Sequence, residues 1–202
     1  MVPNPGHCLW YHTLCQGQDG ELSVICNFRL GSQRRENVKV EKIYFDLDDT
    51  LADFSLGIKE LCGLEPVPQD QASAGQDEAM WEGIRKAGDF YYRLKECEKG
   101  MDLFRRLRAI YGEKVEILSA VPKPKRGILT AENDKRRWVS EHLGDEVTVN
   151  IVHDAGEKIS YVTSAESILI DDLEKNVNAW NQAGGTAFQI QKNQVENILV
   201  FC

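Results

Sequence analysis

The sequence predicts a doubly wound parallel α/β sheet with a small helical cap inserted after the first core strand. Three observations predict it. Continuous apolar runs recur along the chain, helical apolar stripes lie between them, and one stretch between two runs is too long for a single crossover. A run that is apolar without alternation reads as a strand buried on both faces, as in a parallel sheet. Strands that alternate with helices give the layered α/β architecture.

Residues 1–37 stand apart. They carry Cys8, Cys15, Cys26, His7 and His12 and many turn formers, with little periodicity. A short strand is expected within 23–30, and the segment reads as an irregular extension of a domain spanning 38–202. The spacing between Cys8 and Cys15 does not fit the short cysteine spacing of a zinc knuckle.

Regularity starts at Val38. Val38, Val40, Ile43, Tyr44 and Phe45 form the first core strand, which ends in acids. Further strands are expected at Val115–Leu118, Val147–Val152, Ser167–Ile170 and Thr186–Ile190. Leu103, Phe104, Leu107, Ile110 and Tyr111 share one face of a crossover helix over 98–111, closed by Gly112. Trp138, Val139, His142 and Leu143 make a second stripe, closed by Gly144; Val177, Trp180 and Ala183 make a third, closed by Gly184 and Gly185. Trp138 and Trp180 are therefore core residues. Residues 54–97 exceed what a crossover needs. Met80, Trp81, Ile84, Ala87, Tyr91 and Leu94 recur there at helical spacing, after a Pro/Gln/Ala-rich stretch over 64–77 expected to be a loop. This insertion is the cap.

Composition bounds the function. The chain has 202 residues, 42% hydrophobic and 28% charged, with a net charge of −8. An acidic chain gains nothing from counterion release, so a nucleic-acid polymer is not the expected partner. No apolar run reaches the roughly 18 residues of a membrane span. Pro3, Asn4, Pro5 and Gly6 interrupt any signal-peptide pattern. The expectation is a cytoplasmic protein with reduced cysteines.

Ligands of open α/β sheets bind outside the carboxyl ends of the strands. Three strand ends carry polar groups: Asp46-Leu47-Asp48-Asp49-Thr50, then Ser119 followed by Lys123, Lys125 and Arg126, then Asp171-Asp172. Carboxylates gathered in one place repel, and a divalent cation relieves them. A set of oxygen ligands favours Mg²⁺ over Zn²⁺. Lysines beside them suit phosphate oxygens. Other readings stand beside this one. Asp49 or Thr50 could cap a helix. Lys125 and Arg126 could be a solvated loop. Phe54 and Trp81 could stack on a ligand or pack the cap. An EF-hand loop needs Gly and Glu where this chain has Leu51 and Gly57.

Four ordered segments resemble the motifs of the haloacid-dehalogenase-like (HAD) superfamily: Phe45 to Phe54, Val115 to Ser119, Lys135 before Arg136-Arg137-Trp138, and Leu169 to Asp172. The resemblance covers roughly residues 40–190. Within the superfamily the chain is most similar to the 5′(3′)-deoxyribonucleotidase branch. Ala52-Asp53-Phe54 directly after the first motif, Trp81 before Phe90-Tyr91-Tyr92, and Lys135 with Trp138 carry that likeness. The branch often has Thr-Ser-Pro where this chain has Ser119-Ala120-Val121. The resemblance implies a phosphomonoesterase. Asp46 is the nucleophile and Asp48 the general acid and base. Asp46, Asp48 through its carbonyl, and one or both of Asp171 and Asp172 hold Mg²⁺. Ser119, Lys135 and Lys123 bind phosphate, and Phe54 and Trp81 meet a nucleotide. Lys158 resembles a family position near the phosphate, with pairing to Glu157 or solvent as the other reading. Another small phosphomonoester is the alternative substrate. A non-catalytic binding protein is the third reading, opposed by the presence of both Asp46 and Asp48.

Overall fold

This computed structural model describes residues 39–68, 71–193 and 195–201, and two short strands before them. Contacts divide the chain into two compact units, 1–37 and 38–202. In the first, β1 (His12–Gln16) and β2 (Leu22–Cys26) pair antiparallel, with His12 opposite Cys26. β2 overlaps the strand expected within 23–30; the remainder of that stretch lies outside the described residues, as do the side chains of the His/Cys group.

The second unit is built on five parallel strands in the order β5-β4-β3-β6-β7. They are β3 (Lys42–Phe45), β4 (Val115–Ala120), β5 (Val149–Val152), β6 (Ser167–Asp171) and β7 (Thr186–Gln189). β5 is shorter than expected: Val147 is buried but precedes the strand. Side chains alternate between the two faces, and both faces are covered. Ile43, Phe45, Ile117, Ile168 and Ile170 enter the larger core with α3 (Glu98–Tyr111), α4 (Ala131–Leu143) and α6 (Val195–Phe201). Tyr44, Leu118 and Leu169 face the other way, toward Trp180 of α5 (Glu174–Gln182) and the 3₁₀ segment Ala155–Tyr161. Trp138 and Trp180 are fully buried.

The insertion after β3 contains α1 (Phe54–Cys62), α2 (Ala74–Ala87) and a 3₁₀ turn at Tyr91–Arg93. Its two arms pair at the base. Asp53 N–H donates to Lys95 O at 2.8 Å, and Cys97 N–H donates to Leu51 O at 2.8 Å. α2 begins inside the stretch expected to be a loop. Ser73 and Gln76 close a capping box there, supplying partners for otherwise orphaned N–H groups at the helix start. The cap has no separate core: Ile58, Ile84, Phe90, Tyr91 and Leu94 are buried in the same cluster as the sheet.

Candidate active site

Sheet register assembles the site. Central β3 pairs Phe45 with Ile117 of β4 and with Ile170 of β6. Asp46, Ser119 and Asp171-Asp172 therefore leave the same edge of three adjacent strands. Beyond Asp46 the backbone turns tightly. Leu47 O accepts from the N–H groups of Thr50, Leu51 and Ala52, and Asp49 takes a left-handed φ of 50°. That turn rests on α3, where a Cβ on Gly100 would collide with the Thr50 carbonyl oxygen.

Two lysines divide the carboxylates between them. Lys158, from the 3₁₀ segment after β5, is buried and reaches Asp46 Oδ1 at 2.9 Å and Asp171 Oδ2 at 2.7 Å. Burial disfavours its charge, but the Asp46 and Asp171 carboxylates override this and raise it above the ordinary lysine value. Its pairing is thus neither with Glu157 nor with solvent. Lys135, from α4, is wholly buried and donates to Asp48 Oδ2 at 2.7 Å, Ser119 Oγ at 2.9 Å and Ala120 O at 2.8 Å.

The remaining electrostatics mark two acids. Burial raises the Asp48 carboxyl to about 6, with Lys135 opposing and Asp46 adding to the shift. Asp48 Oδ1 is buried with no hydrogen-bond partner. Burial, then repulsion from Asp46 and Asp171, lifts Asp172 to about 9. Oxygens of Asp46, Asp171 and Asp172 lie within 4.8 Å of one another. Asp171 is heavily engaged: it accepts from Lys158, from the Leu173 N–H at 2.9 Å and from Asn176 Nδ2 at 3.0 Å on both oxygens. The three carboxylates offer hard oxygen donors, and burial together with mutual repulsion disfavours their charge, which a divalent cation relieves, so these residues fit such an ion.

The other expected site residues fall outside this cluster of contacts. Lys123 is exposed and pairs with Asp154 at 2.8 Å, so the cation at the acids is Lys158 instead. Trp81 donates its indole N–H to Asp77 at 2.8 Å, and the Arg126 guanidinium lies 5.0 Å from its ring centroid. Arg126 also pairs with Asp77 at 2.6 Å, so it is not a solvated loop residue. Phe54 packs edge-on against Phe90 at 5.4 Å and lies 6.1 Å from Tyr91. The N-cap of α1 is Asp53 and neither Asp49 nor Thr50, although Asp49 accepts from an N–H of the same first turn. Asp53 caps α1 through the Leu56 N–H, while Asp49 accepts from Ser55 N–H and Oγ, both at 2.7 Å. The family resemblance alone singles out Lys158, because it sits in a short 3₁₀ segment without periodicity, beside Glu157.

No family model matches the chain, and no curated protein matches it. Solved structures do. A dehalogenase aligns with TM-score 0.50 at 13% identity, over 81% of this chain and 97% of its own. The HAD-hydrolase YfnB from Bacillus subtilis bound to magnesium aligns with TM-score 0.49 at 10% identity, over 81% and 98%. A HAD family hydrolase from Deinococcus radiodurans R1 with bound phosphate and sodium aligns with TM-score 0.47 at 14% identity, over 74% and 80%. The fold is the HAD-like Rossmannoid α/β fold. Among the described residues no helix is long and apolar enough to cross a membrane.

Proposed function

We propose that this chain is a Mg²⁺-dependent phosphomonoesterase that works through an aspartyl-phosphate on Asp46. The observation that carries the reading is the pair Asp46 and Asp48 at one strand end. One carboxylate is ion-paired with Lys158. The other is a half-buried acid raised to about 6, with one buried oxygen unpartnered among the described residues. A nucleophile next to a poised proton donor is what ester cleavage followed by hydrolysis requires. Displacement of a halide needs no proton on the leaving group, so Asp48 favours a phosphoester over a haloacid.

An oxygen of Asp46 attacks phosphorus while the bond to the leaving oxygen breaks. The Asp48 carboxyl gives its proton to that oxygen. Water then attacks the aspartyl-phosphate, Asp48 takes the water's proton, and inorganic phosphate leaves with Asp46 restored. Lys158 has three protons and uses two on Asp46 and Asp171, which leaves one for a phosphoryl oxygen. Ser119 and Lys135 flank Asp48 on the side of the second strand. Asp46, Asp171 and Asp172 would hold the cation, with the Asp48 carbonyl as a further ligand. Among the described residues Asp172 has no partner like those that occupy Asp171, so it is the more available of the two. When bound, the cation neutralises carboxylate and phosphate charge and orients the phosphate.

A nucleoside monophosphate is the substrate to which the sequence resemblance points. A smaller phosphomonoester, such as a sugar or polyol phosphate, is the second reading. It is favoured because Arg126 already lies over Trp81 and the Phe54 ring packs on Phe90. The test is a Mg²⁺-supplemented panel of nucleotides, sugar phosphates and p-nitrophenyl phosphate, with Asp46→Asn as control. The expected result is turnover that EDTA silences, Mg²⁺ restores and the substitution abolishes without unfolding. Turnover indifferent to EDTA would remove the cation, and full activity in the variant would remove Asp46.

A further inference from the structure

The Lys135 ammonium has a fourth neighbour that belongs to the cap. Its nitrogen lies 4.8 Å from the centroid of the Tyr91 ring. All three ammonium protons are already placed on Asp48, Ser119 and the Ala120 carbonyl. The aromatic face adds an electrostatic contact that needs no further proton. Both partners are almost completely buried, so water does not weaken it.

Tyr91 is itself firmly seated. It lies in the 3₁₀ turn on the return arm of the cap, 5.3 Å from Phe90 and 6.1 Å from Phe54 between ring centroids. Two residues beyond that turn's centre, Leu94 O accepts the Trp138 indole N–H at 2.8 Å. Trp138 is on α4, one turn from Lys135. The helix that carries the lysine and the arm that carries the ring are thus pinned together. Burial, with the nearby Asp48 and Asp134 carboxylates, raises the Tyr91 phenol well above its ordinary value, so it remains a neutral ring.

We infer that Tyr91 is a positioning residue: its ring holds the Lys135 ammonium on Asp48 and Ser119, which makes the return arm of the cap part of the reaction site. This rests on the phosphomonoesterase reading. The physical need is competition between acids: Asp46 leaves the same strand end as Asp48, and Asp171-Asp172 leave the neighbouring β6, so other carboxylates attract the Lys135 ammonium away from Asp48. Lys158 already serves that group. Tyr91 keeps the two cations on separate duties.

The experiment uses the full-length protein and two readouts. The first is independent of activity. Lys135 side-chain NMR signals, assigned by their loss in Lys135→Met, should be shifted upfield by the ring current in wild type and in Tyr91→Phe, but not in Tyr91→Leu. The second is kinetic, with p-nitrophenyl phosphate and Mg²⁺. Tyr91→Phe should stay within about twofold of wild type. Tyr91→Leu should lower kcat roughly tenfold, equivalent to about 1.4 kcal/mol, with KM within about twofold. In a Lys135→Met background Tyr91→Leu should cost nothing more. A further loss in that background, or a rise in KM alone, would show that Tyr91 only packs the cap and would overturn the proposal. Absence of the upfield shift in wild type overturns it even if the Leu variant fails to fold. A wild type that hydrolyses nothing would remove the phosphatase reading, and the NMR comparison would still decide on Tyr91.

Discussion

Asp48, half-buried, and Asp134, buried, each carry a buried oxygen with no hydrogen-bond partner among the described residues, and they lead to opposite expectations. Asp48 accepts from Lys135, and in the proposed reaction its carboxyl gives the proton to the leaving group. Asp48→Asn keeps the shape and removes the proton, and kcat should fall by about 10²- to 10⁴-fold. An unchanged kcat would end its role as acid. Among the described residues Asp134 has only Thr130 Oγ1 at 2.8 Å and a distant Arg137, with Asp89 repelling it. Burial raises its carboxyl above the unfolded value. The folded state then holds the proton more tightly than the unfolded chain. Its stability is therefore greatest below the unfolded pKa and declines as pH rises through the folded one. Asp134→Asn should gain roughly 2–4 °C in Tm at pH 7 and nothing at pH 4, read by thermal melting; a gain at pH 4 alone would contradict this. The acids were legible in the sequence because each follows an apolar strand. Lys158 was legible only through the family resemblance and Tyr91 not at all in its role, because their partners Asp46, Asp171 and Lys135 are reached only through sheet register and the return of the cap.

At the scale of elements, the cap is braced at two places. The base is the pairing of residues 51–53 with 95–97. The other brace runs from α2 to the loop after β4. Arg126 pairs with Asp77 and covers Trp81, and Arg85 donates to Arg126 O at 3.0 Å. Trp81→Ala should thus lower turnover of a nucleotide and of p-nitrophenyl phosphate together, and Arg126→Ala should do the same. A loss confined to the nucleotide would restore Trp81 as a stacking residue for a base. Under the active-site turn, Gly100 leaves α3 room to touch the Thr50 carbonyl. Gly100→Ala should destabilise by about 1–3 kcal/mol through overpacking and lower kcat, because the displaced turn carries Asp48. The helical stripe over about 98–111 anticipated α3 and Gly112 ends it; Leu103, Phe104 and Leu107 are buried as expected, whereas Ile110 at the end of the stripe is exposed. The start of α2 was hidden by a Pro/Gln/Ala-rich lead, although Ser73 and Gln76 spell a capping box.

For the whole molecule, the strand order carries the account. β3 lies between β4 and β6, which brings Asp46, Ser119 and Asp171-Asp172 to one edge. Alternating apolar runs and stripes made that architecture readable, because a strand buried on both faces has few polar positions to blur it. All site residues and the main core lie within 38–202. A protein beginning at Val38 is therefore expected to melt within a few degrees of the full chain and to match its turnover; insolubility would show that residues 1–37 are needed. The central claim is a covalent phosphoryl group on Asp46, and trapping it is the direct measurement. The protein is mixed with a turned-over phosphomonoester and Mg²⁺, quenched in acid, reduced with borohydride and digested for mass spectrometry. Reduction of an aspartyl-phosphate yields homoserine, and the account predicts it at Asp46 and not at Asp48, Asp171 or Asp172. Steady turnover with homoserine at none of these positions, or at another of them, would contradict it.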